Sequence, residues 1–441
     1  MAPNSLRERH YAKISGLVRR NARDLTPEDL DQHALAKAML EKISHGGLGS
    51  PKLVSSAHGV ISQLLLTIPS YAANSGAGET NPLAATYIDL LAKLPRTIKY
   101  IVLTHDSSAV TVAQWFADLA IGDVDIITVG EHLNFSIWAE DGYVVATDSV
   151  SQRTFFVEPF SFPRYADGLI ADFVSNSSSL GNTQAPLYFQ GGNILIGDDF
   201  FFVGADYPAK SLDYIKQVIV PDPGETPVAT VRRLYRTYLD SSKDLYYVGS
   251  SIPVPAQLKR TIVIDGQQWI ETLYAGNHAG TTQPLFHIDM FITLAGRDGA
   301  GKYQVFVGDP SLAAEALGIP LWPHAMQGVF DNISQYLESL GFRVLRNPLP
   351  LAYIDDPSTK QRTWYFATSN NALVQILPSG GKSVWLPAYG FGGWQALTTT
   401  DQINVKAWEA IGFKATLLSD FHPFAENLGA VHCIKKYLAR T

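Results

Sequence analysis

A two-strand unit recurs along this chain and constrains its fold more than any other feature. Asn193-Ile194-Leu195-Ile196-Gly197, the polar step Asp198-Asp199 and Phe200-Phe201-Phe202-Val203-Gly204 read as a hairpin, because alternating strand edges flank a central turn. Phe291-Ile292-Thr293-Leu294-Ala295, a Gly-rich turn and Tyr303-Gln304-Val305-Phe306-Val307-Gly308 read as a second. Trp364-Tyr365-Phe366-Ala367 with Ala372-Leu373-Val374-Gln375 reads as a third. Recurrence of this kind suggests repeated modules arranged around an axis. Further β-branched runs at Lys99–Leu103, Asp125–Val129 and Tyr143–Ala146, with a helical stretch from Val110 to Leu119, extend the pattern into an α/β domain over residues 96–441. Residues 1–95 read instead as a helical extension. Its signals are Leu17-Val18, the start Thr26-Pro27-Glu28-Asp29, Leu35-Ala36-Met39-Leu40 and Val60-Ile61-Leu64-Leu65 at three-to-four spacing, with a loop at Gly46–Pro51.

With 441 residues, 46% of them hydrophobic, the chain has material for a sizeable core. Lys and Arg number 34 against 41 Asp and Glu, and the net charge of -7 contains no long run of one sign. This argues against nucleic acid as a partner and favours cationic ligands. No apolar stretch reaches the roughly 18 residues of a membrane span, and the first residues lack a secretory apolar segment. A soluble, cytoplasmic protein with no membrane partner is expected, with non-classical export left open.

One cysteine, Cys433, rules out an internal disulfide and any metal site needing two thiolates. Cys433 is either a small buried hydrophobe or a reactive thiolate. It sits in Gly429-Ala430-Val431-His432-Cys433-Ile434, followed by Lys435 and Lys436. Adjacent strand residues point opposite ways, so His432 is a poor base for it and His287 is the better placed histidine. In His287-Ile288-Asp289 a strand would project imidazole and carboxylate to one face. The pair reads as a structural hydrogen-bonded couple, as site residues, or less readily as metal ligands. Trp138-Ala139-Glu140-Asp141-Gly142 carries two acids at a turn that could be solvated. Gln190-Gly191-Gly192-Asn193 is a simple turn or a place where backbone approaches a ligand closely. Gly296-Arg297-Asp298-Gly299-Ala300-Gly301-Lys302 has phosphate-loop spacing, but Tyr303 replaces the metal-binding hydroxyl and the stretch joins two strands, so it reads as a hairpin turn.

In order, the blocks Trp-x-x-Asp, Gly-Gly-Asn, His-x-Asp, Asn-Ala-Leu-Val and a terminal Gly-x-x-His-Cys resemble the guanidine-modifying (pentein) superfamily, closest to the protein-arginine deiminases and agmatine deiminases. The resemblance covers about residues 95–441. It implies an α/β propeller of five ββαβ modules, with Cys433 as nucleophile, His287 as general acid and base, Asp141 and Asp289 holding a guanidinium, and Asn371 lining the site. It also implies Trp138, Gly192, Asn193 and Arg164 as substrate-binding residues. Glu140 stands where relatives often have Arg or Gln. In Phe160-Ser161-Phe162-Pro163-Arg164-Tyr165, Arg164 matches an arginine that grips a substrate carboxylate in bacterial protein-arginine deiminases, while a second arginine is replaced by Phe162.

The implied function is deimination of peptidyl-arginine in a peptide or protein. Agmatine or another small guanidino compound is the alternative substrate, and amidine transfer the alternative reaction. A non-catalytic arginine-binding module would not require the full set Asp141, His287, Asp289 and Cys433. No cofactor or metal is expected. The scattered acids form no EF-hand-like loop, and the sequence leaves a calcium requirement and the oligomeric state open.

Overall fold

The computed structural model describes residues 49–441 apart from positions 77, 219, 220, 275 and 276, together with positions 32 and 36. The helical signals at 17–18, 26–29, 35 and 39–40 lie outside the described residues. The chain forms two compact units. A histidine-bearing unit comprises Asn74–Leu94 and Val248–His432 among the described residues, and a cysteine-bearing unit comprises those up to 73 with Pro95–Tyr247 and Cys433–Thr441.

Among the described residues, the cysteine-bearing unit contains three sheets. Their strand orders are Pro51–Leu53, Val144–Asp148, Thr154–Glu158, Gly181–Gln184; then Asp244–Val248, Phe200–Gly204, Ile194–Ile196; and Lys435–Arg440, Ile61–Ile68, Lys99–His105, Val124–Val129. The histidine-bearing unit has Ile292–Arg297, Tyr303–Asp309, Arg343–Pro348, a second sheet of Leu373–Ile376, Lys382–Ala388, Lys414–Asp420, and a third of Leu258–Ile264, Gln267–Leu273, Gln361–Phe366, Leu351–Asp356.

One hydrogen-bonding scheme repeats. Val144–Asp148 pairs antiparallel with Thr154–Glu158, which takes Gly181–Gln184 as a parallel neighbour. The same antiparallel-then-parallel order holds for the sheets beginning at Ile292 and Leu373. It holds again where Lys435–Arg440 meets Ile61–Ile68 and the latter meets Lys99–His105. A parallel third strand needs a crossover, and helices Ile170–Asn176, Gln327–Ser339 and Thr398–Glu409 supply it. Crossover helices cover sheets that are apolar on both faces. Consecutive Val144 and Val145 belong to different core clusters, one with Val157, Ile194 and Phe201, the other with Leu65, Tyr143 and Phe156.

The first two hairpins form where the sequence places them, with Ile194 opposite Val203 and Ile292 opposite Val307. The Gly296–Lys302 stretch is the turn of the second, Gly296 and Gly301 taking positive φ of 74° and 82°. The third hairpin is not formed. Gln361–Phe366 pairs with Leu351–Asp356 and Gln267–Leu273, whereas Leu373–Ile376 turns back onto Lys382–Ala388. A polar turn between two apolar runs does not specify which of them pair.

Val60-Ile61-Leu64-Leu65 is likewise not helical. Ile61–Ile68 is a strand between two others, with the apolar run Leu64-Leu65-Leu66 fully buried at its centre. Such a run matches helical spacing by chance. Among the described residues of the first 95, helix Pro82–Lys93 does form, capped by Asn81 accepting from the amides of Leu83 and Ala84. Among the described residues no helix is long and apolar enough to cross a membrane.

Leu65 has 0% exposure in the strand that replaces the expected helix. Leu65→Ala should cost about 2–5 kcal/mol in a denaturant titration. An unchanged midpoint would mean that this strand is not part of the core.

Candidate active site

The residues singled out by sequence occupy one recurrent position, the turn leading into the first strand of a sheet. Glu140-Asp141 precedes Val144–Asp148, Gly192-Asn193 precedes Ile194–Ile196, and His287 to Asp289 precedes Ile292–Arg297. Asn371 precedes Leu373–Ile376 and Cys433 precedes Lys435–Arg440. All of these residues are buried.

In the cysteine-bearing unit, the backbone amide of Glu140 donates to the carbonyl of Cys433 at 3.1 Å. Cys433 is 2% exposed. The Glu140 carboxylate receives the Lys435 ammonium at 2.8 Å and the Lys436 ammonium at 2.7 Å. Lys436 also donates to the carbonyls of Tyr143 at 2.8 Å and Glu140 at 3.3 Å. Burial pulls the Lys436 ammonium below its usual range, and Glu140 opposes this. A Cβ on Gly191 would lie 1.9 Å from the Glu140 carbonyl oxygen and 2.8 Å from the Lys436 nitrogen. Only glycine therefore lets the amide of residue 191 reach the Asp141 carbonyl, which it does at 2.8 Å. The close approach that Gly191 makes at this Gly-Gly step is to the chain's own backbone, and Gly192 beside it is buried.

Asp141 holds a guanidinium, that of Arg164, at 2.7 Å. Arg164 also donates from Nε to Asp167, and its guanidinium carbon lies 5.0 Å from the centre of the Phe162 ring. Asp167 in turn receives the Ser136 amide and hydroxyl, each at 2.6 Å. Burial pushes the Asp141 carboxyl up to about 6, against the attraction of Arg164 and with the repulsion of Asp167 and Glu140. Trp138, 7% exposed, accepts the Asp141 amide at its carbonyl at 3.3 Å. The Asn193 side chain reaches the Gly204 carbonyl at 3.4 Å.

In the histidine-bearing unit, His287 is extended with φ -121° and ψ 143°, and Ile288–Met290 is a single 3-10 turn. The strand geometry expected for His287-Ile288-Asp289 is therefore absent, because the sheet starts only at Ile292. The Asp289 carboxylate accepts from His432 Nδ1 at 2.8 Å. The Asn371 side chain fixes this pair. Its oxygen accepts the His432 amide at 2.8 Å and its NH2 group donates to the Asp289 carbonyl at 3.3 Å. Sequence spacing missed His432 as a partner of Asp289, since 143 residues separate them.

No family model matches the chain, and no curated protein does. Solved structures do. A chain provisionally named an agmatine deiminase aligns at 14% identity over 89% of this chain and 96% of its own, with a TM-score of 0.57. The agmatine deiminase of C. jejuni aligns at 13% identity over 89% and 97%, with a TM-score of 0.53. The inosamine-phosphate amidinotransferase of Streptomyces griseus aligns at 12% identity over 90% and 98%, with a TM-score of 0.41. The similarity to the two deiminases is one of fold: a mixed α/β architecture of several sheets.

Gly191→Ala should destabilise the protein by about 1–3 kcal/mol or more, since the methyl group meets backbone that cannot swing away. Thermal unfolding measures it; a wild-type midpoint would show that the Glu140 turn yields freely.

Proposed function

We propose that this chain, which has the fold of the pentein agmatine deiminases, hydrolyses the guanidino group of a small cationic substrate, agmatine or a compound like it, to a ureido group and ammonia. The carrying observation is that Asp141 already binds a guanidinium in a buried setting. Asp141 and Asp167 bring two carboxylates to the single Arg164 guanidinium. One negative charge of that trio is available to a second, substrate guanidinium.

Deimination assigns each step to a residue type that this chain carries. The Cys433 thiolate attacks the guanidinium carbon and forms a C–S bond. The tetrahedral adduct expels one nitrogen as ammonia, protonated by His287, and leaves a thiouronium. His287 then takes a proton from water, whose oxygen attacks the same carbon. The C–S bond breaks, and ureido product and thiolate are released. Asp141 and Asp289 keep the cation oriented, and the Asn371 bonds to the Asp289 and His432 backbone fix the second of these acids.

Arg164 bears on the substrate class. The resemblance offered it as a grip for the carboxylate of a C-terminal arginine, but its donors are turned to Asp141 and Asp167. Phe162 replaces the second such arginine and lies against the first. Both features favour a substrate without a carboxylate over a C-terminal arginine. The repeated hairpin-plus-parallel-strand sheets support a five-bladed arrangement in which residues 96–441, with strand Ile61–Ile68 added, form the catalytic body.

Purified protein incubated with agmatine, free arginine and an arginine peptide should yield ammonia and ureido product from agmatine fastest. Product from the peptide alone would overturn the substrate assignment, and amidine transfer without ammonia would overturn hydrolysis. Cys433→Ala should lower turnover at least about a thousand-fold. Because Asp141 must be anionic to hold a cation, kcat/KM should fall as pH drops through about 6. Arg164→Met removes the attraction that opposes burial, so this acid limb should move to higher pH; an unmoved limb would mean that Asp141 is not the group being titrated.

A further inference from the structure

We propose that Lys435 and Lys436 are positioning residues that fix Cys433 against the Glu140-Asp141 turn and supply the positive charge that favours its thiolate. The inference deepens the deimination reading, which needs a thiolate but does not say what stabilises one before substrate arrives. Both ammonium groups converge on the one Glu140 carboxylate, two and three residues beyond the nucleophile. Lys435, Lys436 and Glu140 are all at least 95% buried, with exposures of 0%, 4% and 4%.

Burying two lysines is expensive, and the groups around them offset part of that cost. Lys435 lies 3.9 Å from the centre of the Tyr437 ring, and Lys436 adds two backbone carbonyls and the Tyr143 ring at 5.7 Å. A lone structural tie between the turn and the strand would need one lysine. The second brings the number of cations above that of the carboxylate they share, where a neighbouring anion is favoured. The other charged and titratable groups in this neighbourhood are Asp141, with Arg164 and Asp167 behind it, and Glu158 and Tyr143. The carboxylates among these oppose a thiolate, whereas Arg164 and the two lysines favour it, and of these cations the lysines are the ones on the strand that follows Cys433. His432, the residue before Cys433, is bonded to Asp289.

Position and charge are coupled through the backbone. The carboxylate that gathers the two ammonium groups belongs to the residue whose amide holds the Cys433 carbonyl. Losing either lysine should therefore affect ionisation of the thiol, whereas a purely structural role would affect stability alone.

Cys433 is the only cysteine in the 441 residues, so the thiolate absorbance near 240 nm, taken as wild type minus Cys433→Ser, belongs to it alone. In substrate-free full-length protein the midpoint should lie below the ordinary thiol value of about 8.5. In Lys435→Met and Lys436→Met it should rise by about one pH unit or more, and Lys435→Arg should restore it. Should a methionine variant fail to fold, the corresponding glutamine variant is titrated in its place. A wild-type midpoint at or above about 8.5, or variants with the wild-type midpoint, would overturn the proposal. The first outcome leaves deimination standing, with the substrate cation generating the thiolate. A low midpoint that responds to the lysines in a protein without turnover would instead uphold the charge role and sink the deiminase reading.

Discussion

Buried turns have no water to satisfy their amides and carbonyls, and most of the site's local structure follows from that constraint. The turns that lead into the first strands carry the candidate residues below the surface, so each needs internal partners. At the Glu140 turn these are the Lys436 ammonium on two carbonyls and the Gly191 amide on a third. At the Asp289 turn the Asn371 amide group serves both as donor and as acceptor. Cys433 enters the same accounting through its carbonyl, which takes the Glu140 amide. The side chains left for chemistry are thus held by groups that first had to satisfy backbone.

Adjacent residues 140 and 141 head two opposite charge arrangements. Glu140 gathers two cations, while Asp141 shares one cation with a second carboxylate. Buried ion pairs seldom raise stability over an apolar alternative, although removing one partner costs about 3–5 kcal/mol. Stability alone gives little reason to build both clusters side by side. The proposed deimination would use both, because one cluster offers the counter-charge of a cationic substrate and the other that of a thiolate.

How much of this was legible in the sequence depended on how local the signal was. The hairpins at Ile194 and Ile292 were readable because their turns and strands are contiguous. The strand Ile61–Ile68 was not, since burial on both faces erases the alternation that marks a strand. The order of the candidate residues was readable, yet their geometry was not: His287 is extended ahead of the 3-10 turn that carries Asp289, and Asp141 is buried beside Arg164 and not solvated. His432 with Asp289 and Lys435 with Glu140 are separated by 143 and 295 residues, distances at which spacing carries no information.

The Glu140 position shows why a departure from a family pattern is better weighed with its partners than alone. An acid in isolation before Asp141 would set two like charges in one buried turn and drive Asp141 further toward its neutral form. The two lysines after Cys433 change that balance. Bound by both, Glu140 is still a source of repulsion for Asp141, but one outranked by burial, by Arg164 and by Asp167. The acid in the turn is therefore matched by cations on the strand that follows Cys433, and Gly191 keeps the space in which the three groups meet. Altered singly, any member would strand a buried charge or a carbonyl, so the departure is one coordinated feature of this chain and not an erosion of its site.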